Sequence, residues 1–371
     1  MDKPIRVLNM VPIMQTAGIE NFIMNLYRNI DREAVQFDFI VHSLKEAAYD
    51  KEIEALGGKI YRFTYKDDKN FIKYVKDLFH FFKEHKEYKI IHGNMQSMMP
   101  VYLWVGKKCG VPVRIAHSHN SSYEKSKKGF TLHLLSKFTK YVANVRFACS
   151  KEAAEYLFGK KTYEFIPNAI DVEKFHFQEE IRKQVRKELE IPDDSIVIGH
   201  VGRFDLQKNH TRLIDIFAEV SKREPKAILL LLGGGRLEEE IKQKVERLHL
   251  QEKVKFLGIR KDTNRMYCAM DLFLLPSLYE GLPVVGIEAQ TEGLKCLFSD
   301  SISKETNITG QIEYLPLQAS DEIWAEKMLQ MAKEKIDREN SYQKVKGTRF
   351  NIKENAKYMK DLYIRYQEKG V

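Results

Sequence analysis

Short apolar runs alternate along this chain with segments of helical spacing, and that alternation limits the fold more than any other feature. Runs at residues 5–11, 37–42, 90–93 and 113–117 are followed by helical stretches at 20–29, around 50–56, at about 99–109 and in a basic segment near 124–141. A second series has runs at 195–202, 227–232, 254–257, 272–275 and 296–299, set off by a charged amphipathic helix at 178–190 and a turn at 192–195. Strands that read as unbroken apolar runs are covered on both faces, and a helix between consecutive strands returns the chain to the same edge. The pattern predicts two doubly wound α/β domains with parallel sheets. Ligands of such sheets sit in the crevice outside the C-terminal ends of the strands, here expected between the two domains.

A chain of 371 residues, 43% hydrophobic and 30% charged, is long enough for two such cores. Four cysteines, Cys109, Cys149, Cys268 and Cys296, lack CxxC spacing, which argues against a zinc ribbon or disulfide framework and for a reducing compartment. The first residues, MDKPIRVLNMVP, read as a strand rather than a signal peptide, and no apolar run has the length of a membrane span. A cytoplasmic protein is expected.

The net charge of +9 is unevenly spread: residues 1–175 carry 28 Lys+Arg against 20 Asp+Glu, and the rest is close to balanced. In 124–141 lysines interleave with Phe130, Leu132, Leu134, Leu135 and Phe138. That mixture suits peripheral attachment to the anionic inner face of a membrane, and equally a solvated basic face. No nucleic-acid module is present, so nucleic acid is not expected as a partner.

Three strand ends of the second series carry anion chemistry. After the first, Gly202 permits a sharp turn and Arg203 and Lys208 offer two cations. After the second, Gly233, Gly234 and Gly235 precede a helix, where backbone N–H groups could approach an anion. After the fourth, Gly281, Leu282, Pro283 and Val284 lead into a helix that Gly293 should end. On that helix Glu288 falls about 40° from Val284, inside the apolar arc. A carboxylate so placed needs a partner, from the protein or from a ligand. Together these groups describe a diphosphate pocket with a glutamate placed for a sugar diol. No GxGxxG follows the first strand, no GxxxxGK[ST] occurs, and no D-x-D pair is present, so a nicotinamide dehydrogenase, a P-loop enzyme and the usual metal–diphosphate motif are all disfavoured. The two cations can neutralise a diphosphate without a metal, and no metal or other cofactor is expected.

The spacing from Glu280 to Glu288, with GLP after the first glutamate, resembles the signature of retaining glycosyltransferases of family 4 with the GT-B fold. AGIE at 17–20, FIPNAID at 165–171 and GRFDLQKN at 202–209 resemble that family's N-terminal glycine loop, inter-domain segment and phosphate-binding strand end. RIAHSHN at 114–120 is similar to its exopolysaccharide and capsular-polysaccharide branch. The chain departs at Ala169, where glycine is usual, and at Lys295, where proline is common.

The resemblance implies an acceptor-binding Rossmann-like domain at 1–175, a nucleotide-sugar domain at 176–348, and a C-terminal helix at 349–371 crossing back to the first. It implies transfer from a nucleotide-sugar, a UDP-sugar by preference, to a glycan or polyprenyl-diphosphate-linked acceptor, with domain closure in the cycle. Glu288 would receive the ribose hydroxyls, Glu280 would face the donor sugar, and Arg203 and Lys208 would bind the diphosphate. Gly18 would admit the donor phosphate, and Asn168 would belong to the substrate-binding set. His117 would lie beside the transferred sugar, with His119 as the alternative. An epimerase or hydrolase on the same scaffold, or a non-catalytic partner subunit, are the competing expectations.

Overall fold

The computed structural model describes residues 3–16, 18–64, 70–120, 127–335 and 337–370, with backbone only at 127–129. Ala17 of the AGIE motif and 124–126 of the basic segment lie outside the described residues. The chain forms two compact units, one of Met1–Ala169 with Ile352–Val371 and one of Ile170–Asn351. The crossings fall a few residues from the 175 and 349 expected. Ile170 pairs with Asn351, and its N–H donates to the Phe350 carbonyl at 2.8 Å, so both chain passages join the second unit at one bridge.

The first unit holds a seven-stranded sheet of β1 (Ile5–Val11), β2 (Val35–Val41), β3 (Ile60–Arg62), β4 (Ile90–Gly93), β5 (Val113–Ser118), β6 (Val145–Ala148) and β7 (Glu164–Phe165), in the order β3-β2-β1-β4-β5-β6-β7. The second holds six strands, β8 (Val197–Val201), β9 (Ile228–Leu232), β10 (Val254–Phe256), β11 (Leu272–Leu275), β12 (Lys295–Ser299) and β13 (Ile312–Leu315), in the order β10-β9-β8-β11-β12-β13. Each recorded strand pair is parallel, for example Val7 beside Phe37 and Val197 beside Ile228. The order reverses between β1 and β4 and between β8 and β11, and such switch points are where open α/β sheets bind ligands.

Strand β9, Ile-Leu-Leu-Leu-Leu, shows why these runs are unbroken. Leu229 and Leu231 enter a core with Phe217 and Trp324, while Leu230 enters the core on the other face with Met270 and Phe273. Four strands escaped the sequence reading: β3, β6, β7 and β13. They are two to four residues long, and Arg146 and Glu313 break the apolar runs of β6 and β13.

The C-terminal helix Ile352–Lys369 packs in the first unit. Ile352, Ala356, Met359, Leu362 and Tyr363 form its apolar stripe and share a core with Val7, Phe37 and Phe39. The two departures from the family pattern are both accommodated. Ala169 is buried with no left-handed backbone, so no glycine is required there. Lys295 opens β12, is buried, and pairs with Glu334.

Candidate active site

At the switch point of the second sheet, the loops that follow β8 and β11 are tied together. Leu278 N–H donates to the Gln207 carbonyl at 2.8 Å. Gln207 Nε2 donates to the Tyr279 carbonyl at 3.1 Å, and Asn209 Nδ2 to the Pro276 carbonyl at 3.1 Å. Asn209 itself takes φ +57°, which lets the loop reverse into the helix His210–Arg223. Across these ties Lys208 Nζ meets Glu280 Oε1 at 2.6 Å, the two side chains being 16% and 10% exposed. Ser277 Oγ donates to the same oxygen at 3.2 Å, and the Ser277 carbonyl accepts from the Ser299 and Ser301 hydroxyls. Glu280 is therefore positioned from two strand ends at once. Arg203 is exposed and forms no side-chain hydrogen bond or ion pair among the described residues.

Glu288 lies on the helix Val284–Thr291, which Gly293 ends at φ +80° as expected. Pro283 is the residue before the helix rather than its first turn. The partner Glu288 needs is Tyr267, whose hydroxyl donates to Oε2 at 2.9 Å. By area the residue is only partly buried, yet its carboxyl is enclosed. Burial pushes its pKa up to about 7, against the opposing pull of the Tyr267 hydrogen bond and the Lys208 charge. Lys208 thus acts on both glutamates. Tyr267 sits on the helix Thr263–Ala269 and is fully buried. The signal for it was present, because a tyrosine on a buried face must find an acceptor.

The glycine loop after β9 differs from its expected use as an anion cradle. Gly233 has φ +140° and a side chain there would stand 2.0 Å from the Gly202 carbonyl, so these glycines let two backbones touch. The Gly233 N–H donates to the Gly258 carbonyl, and the Gly234 carbonyl accepts from Phe204 N–H. The following helix starts only at Glu238, with three glutamates in its first turn, a poor place for an anion. Gly202 lies against the Lys208 side chain, Gly233 against the Gly202 backbone, and Gly234 against Ile259. Of the segment before the helix of Glu288, Leu282 and Pro283 are buried, and Gly281 and Val284 are half-buried.

In the first unit the polar residues gather at the corresponding switch point. His117 does not face outward: it is fully buried on β5, its Nδ1 3.1 Å from His92 Nε2, with His92 Nδ1 2.7 Å from the Tyr363 hydroxyl. His119, just past the strand, is partly exposed, with Nε2 3.0 Å from Asn94 Oδ1, and its ring lies 4.0 Å from that of His117. Phe22 packs against both rings. Burial drives the three imidazoles to their neutral forms: His92 and His119 fall to about 3, His117 well below the ordinary value. His92 and Tyr363, which line up behind His117, and Asn94, which meets His119 and Asn9, were not foreseen, since only tertiary folding brings them together. Gly18 opens the helix Gly18–Asn29 with nothing among the described residues within 4 Å of a side chain placed there, so none of them requires a glycine. Asn168 is half-buried with an enclosed Oδ1 that has no hydrogen-bond partner among the described residues. No group of three or more His, Cys, Asp or Glu among the described residues is placed to hold a metal ion.

Residues 16–174 match the family Glycosyltransferase Family 4, and residues 181–348 match Glycosyl transferases group 1. The putative glycosyltransferase EpsF of Bacillus subtilis is 34% identical over 339 residues, 88% of each chain. The chain belongs to the family 4 glycosyltransferases. Another relative of this glycosyltransferase is the UDP-Gal:alpha-D-GlcNAc-diphosphoundecaprenol alpha-1,3-galactosyltransferase of Escherichia coli, 27% identical over 79% of this chain and 80% of that one. The solved structure of Anabaena Alr3699/HepE in complex with UDP superposes with a TM-score of 0.78 over 97% of this chain and all of the other, at 18% identity. That likeness carries the fold, GT-B.

Proposed function

We propose that this glycosyltransferase moves a sugar, with retention at the anomeric carbon, from a UDP-sugar to a polyprenyl-diphosphate-linked or growing glycan in polysaccharide synthesis. The observation that carries the reading is the Lys208–Glu280 pair at the switch point, with Glu288 held by Tyr267 under the influence of the same lysine. The names of the relatives, one of which acts on a diphosphoundecaprenol-linked sugar, support the donor and acceptor class.

In this reading Glu288 accepts the ribose hydroxyls, and Lys208 and Arg203 hold the diphosphate. Lys208 has three N–H donors, so it can keep Glu280 and still reach a phosphate oxygen. As the glycosidic bond breaks, negative charge grows on the leaving diphosphate, and fixed cations in a partly dry site stabilise that charge most. Glu280, oriented by Lys208 and Ser277, faces the donor sugar. His119, partly exposed and neutral, can lie beside the sugar without adding positive charge, whereas His117 is fully buried. No metal is needed, because the two cations do the neutralising.

The attachment surface belongs to the same reading. Phe138 and Tyr141 are 60% and 65% exposed, beside Phe130 and Leu134, with Lys137 and Lys140 among them. No helix among the described residues is long and apolar enough to cross a membrane. Such a face suits peripheral contact with anionic lipid.

The test is incubation with a panel of UDP-sugars and a polyprenyl-diphosphate-linked saccharide, with product configuration read by NMR. Expected is a product of retained configuration, formed only with acceptor and unaffected by chelator, and UDP that raises Tm without added metal. Nucleotide release in water alone, inversion, or loss of UDP stabilisation with chelator would overturn the corresponding part.

A further inference from the structure

Strands β6 and β7 pair only through Phe147 with Glu164 and Ala148 with Phe165, so the earlier residues of β6 have no strand beside them on that side. A cavity of about 160 Å³ opens there, at the N-terminal end of the first sheet, away from the edge that carries His117 and His119. Arg146, Thr162, Tyr163, Glu164 and, from the C-terminal helix, Tyr366 line it with Asn144.

The lining groups have capacity to spare. Arg146 gives one N–H to the Lys140 carbonyl at 3.3 Å, while its Nε is enclosed without a partner among the described residues. Glu164 accepts the Tyr358 hydroxyl on Oε2 at 2.8 Å, which leaves Oε1. The Asn144 amide is engaged by the Pro112 carbonyl and the Arg114 N–H and serves as wall. Arg146 and Glu164 share this cavity yet form no ion pair with each other. The enclosed Nε is beyond an occupant's reach, but of the other guanidinium N–H groups only one is engaged among the described residues, by Lys140, so an occupant with an acceptor finds donors on Arg146.

The charges decide which occupant. An anion would meet Glu164 and a cation would meet Arg146, whereas a neutral hydroxyl accepts from one and donates to the other. Tyr366 adds an aromatic wall for an apolar ring face. The volume equals about five water molecules, enough for one ring and too little for a nucleotide. We propose that this cavity is a second saccharide site, which holds one neutral pyranose of a glycan away from the reacting centre. It rests on the reading of this enzyme as one that extends glycans.

Saturation-transfer NMR on the full-length enzyme, with UDP present, tests it using methyl α-D-glucopyranoside, methyl α-D-galactopyranoside and methyl α-D-mannopyranoside. At least one should bind, and Glu164→Gln and Arg146→Met should each weaken it roughly fivefold or more. Inorganic phosphate should not compete. If Arg146→Met fails to fold, Glu164→Gln decides alone. No binding by any of the three, unchanged affinity in the folded variants, or displacement by phosphate would overturn the site. Failure of the native enzyme to transfer any sugar while pyranoside binding is retained counts against the transferase reading alone. Transfer with no pyranoside binding counts against this site alone.

Discussion

Glu288 is poised at its own titration, which makes it the most testable residue of the site. Its folded pKa of about 7 lies above the ordinary carboxyl value of 4.5, so the native state keeps a proton that the unfolded chain loses first. Its contribution to stability is full below about 4.5 and is lost as the pH rises through about 7, by about 1–3 kcal/mol. Glu288→Gln should remove that slope, measured by urea melts between pH 4.5 and 8; a variant with the same slope would refute the assignment. Under the proposed function donor binding runs the other way, since a ribose diol prefers the carboxylate: donor KM should climb as the pH falls below about 7 in the native enzyme, and less in Glu288→Gln. Tyr267→Phe deletes the hydrogen bond that favours the carboxylate, so its KM profile should move to higher pH. Lys208 makes a different prediction. If it stabilises charge that appears only as the bond breaks, Lys208→Ala should lower kcat by roughly 10²–10³ with little change in donor KM. Equal losses in both would mean ground-state binding.

Among the elements, two glycines that look alike in sequence separate sharply. Gly233 is needed by the fold, because an added side chain would strike the Gly202 carbonyl at a backbone angle of +140°. Gly233→Ala should cost about 3 kcal/mol or more in a chemical melt. Gly18, at the start of its helix, has no described residue within 4 Å of a side chain placed there, so Gly18→Ala should leave Tm unchanged or slightly raised. Under the proposed function the same change raises donor KM several-fold, because the space belongs to a phosphate. A Gly18→Ala enzyme with native kinetics would remove this residue from the site.

At the scale of the whole molecule, the last helix is part of the first unit although it follows the second in sequence. Removing 352–371 takes Met359, Leu362 and Tyr363 from the core and strips His92 of its hydroxyl partner. Each lost side chain is worth about 1.5–3 kcal/mol, so the first unit should become protease-sensitive while the second persists. Equal resistance of both units would contradict this. The basic, aromatic face makes a prediction about the molecule as a particle: it should sediment with anionic vesicles and not with neutral ones, and high salt should release it. Phe138→Ser with Tyr141→Ser should weaken that binding about tenfold or more, if the rings enter the interface. Binding unchanged by either salt or these substitutions would exclude the face.

The sequence by itself determined the two parallel sheets, because strands buried on both faces have to be apolar throughout, and that leaves an unmistakable run in β9 or β11. It also determined that Glu288 needed a partner, since helical spacing places it among apolar neighbours. The short strands β6, β7 and β13 were illegible: two to four residues, some broken by a charge, give no periodicity, and only pairing with a neighbour makes them strands. Tertiary structure alone decided which hydroxyl meets Glu288, that Lys208 meets Glu280 across two loops, and that His117 lies buried behind His92 and Tyr363. Those contacts join residues between 21 and 271 positions apart, and no local pattern encodes such a distance. It also gave Gly233 a packing reason of its own, because backbone packed on backbone and backbone cradling a phosphate call for the same residue.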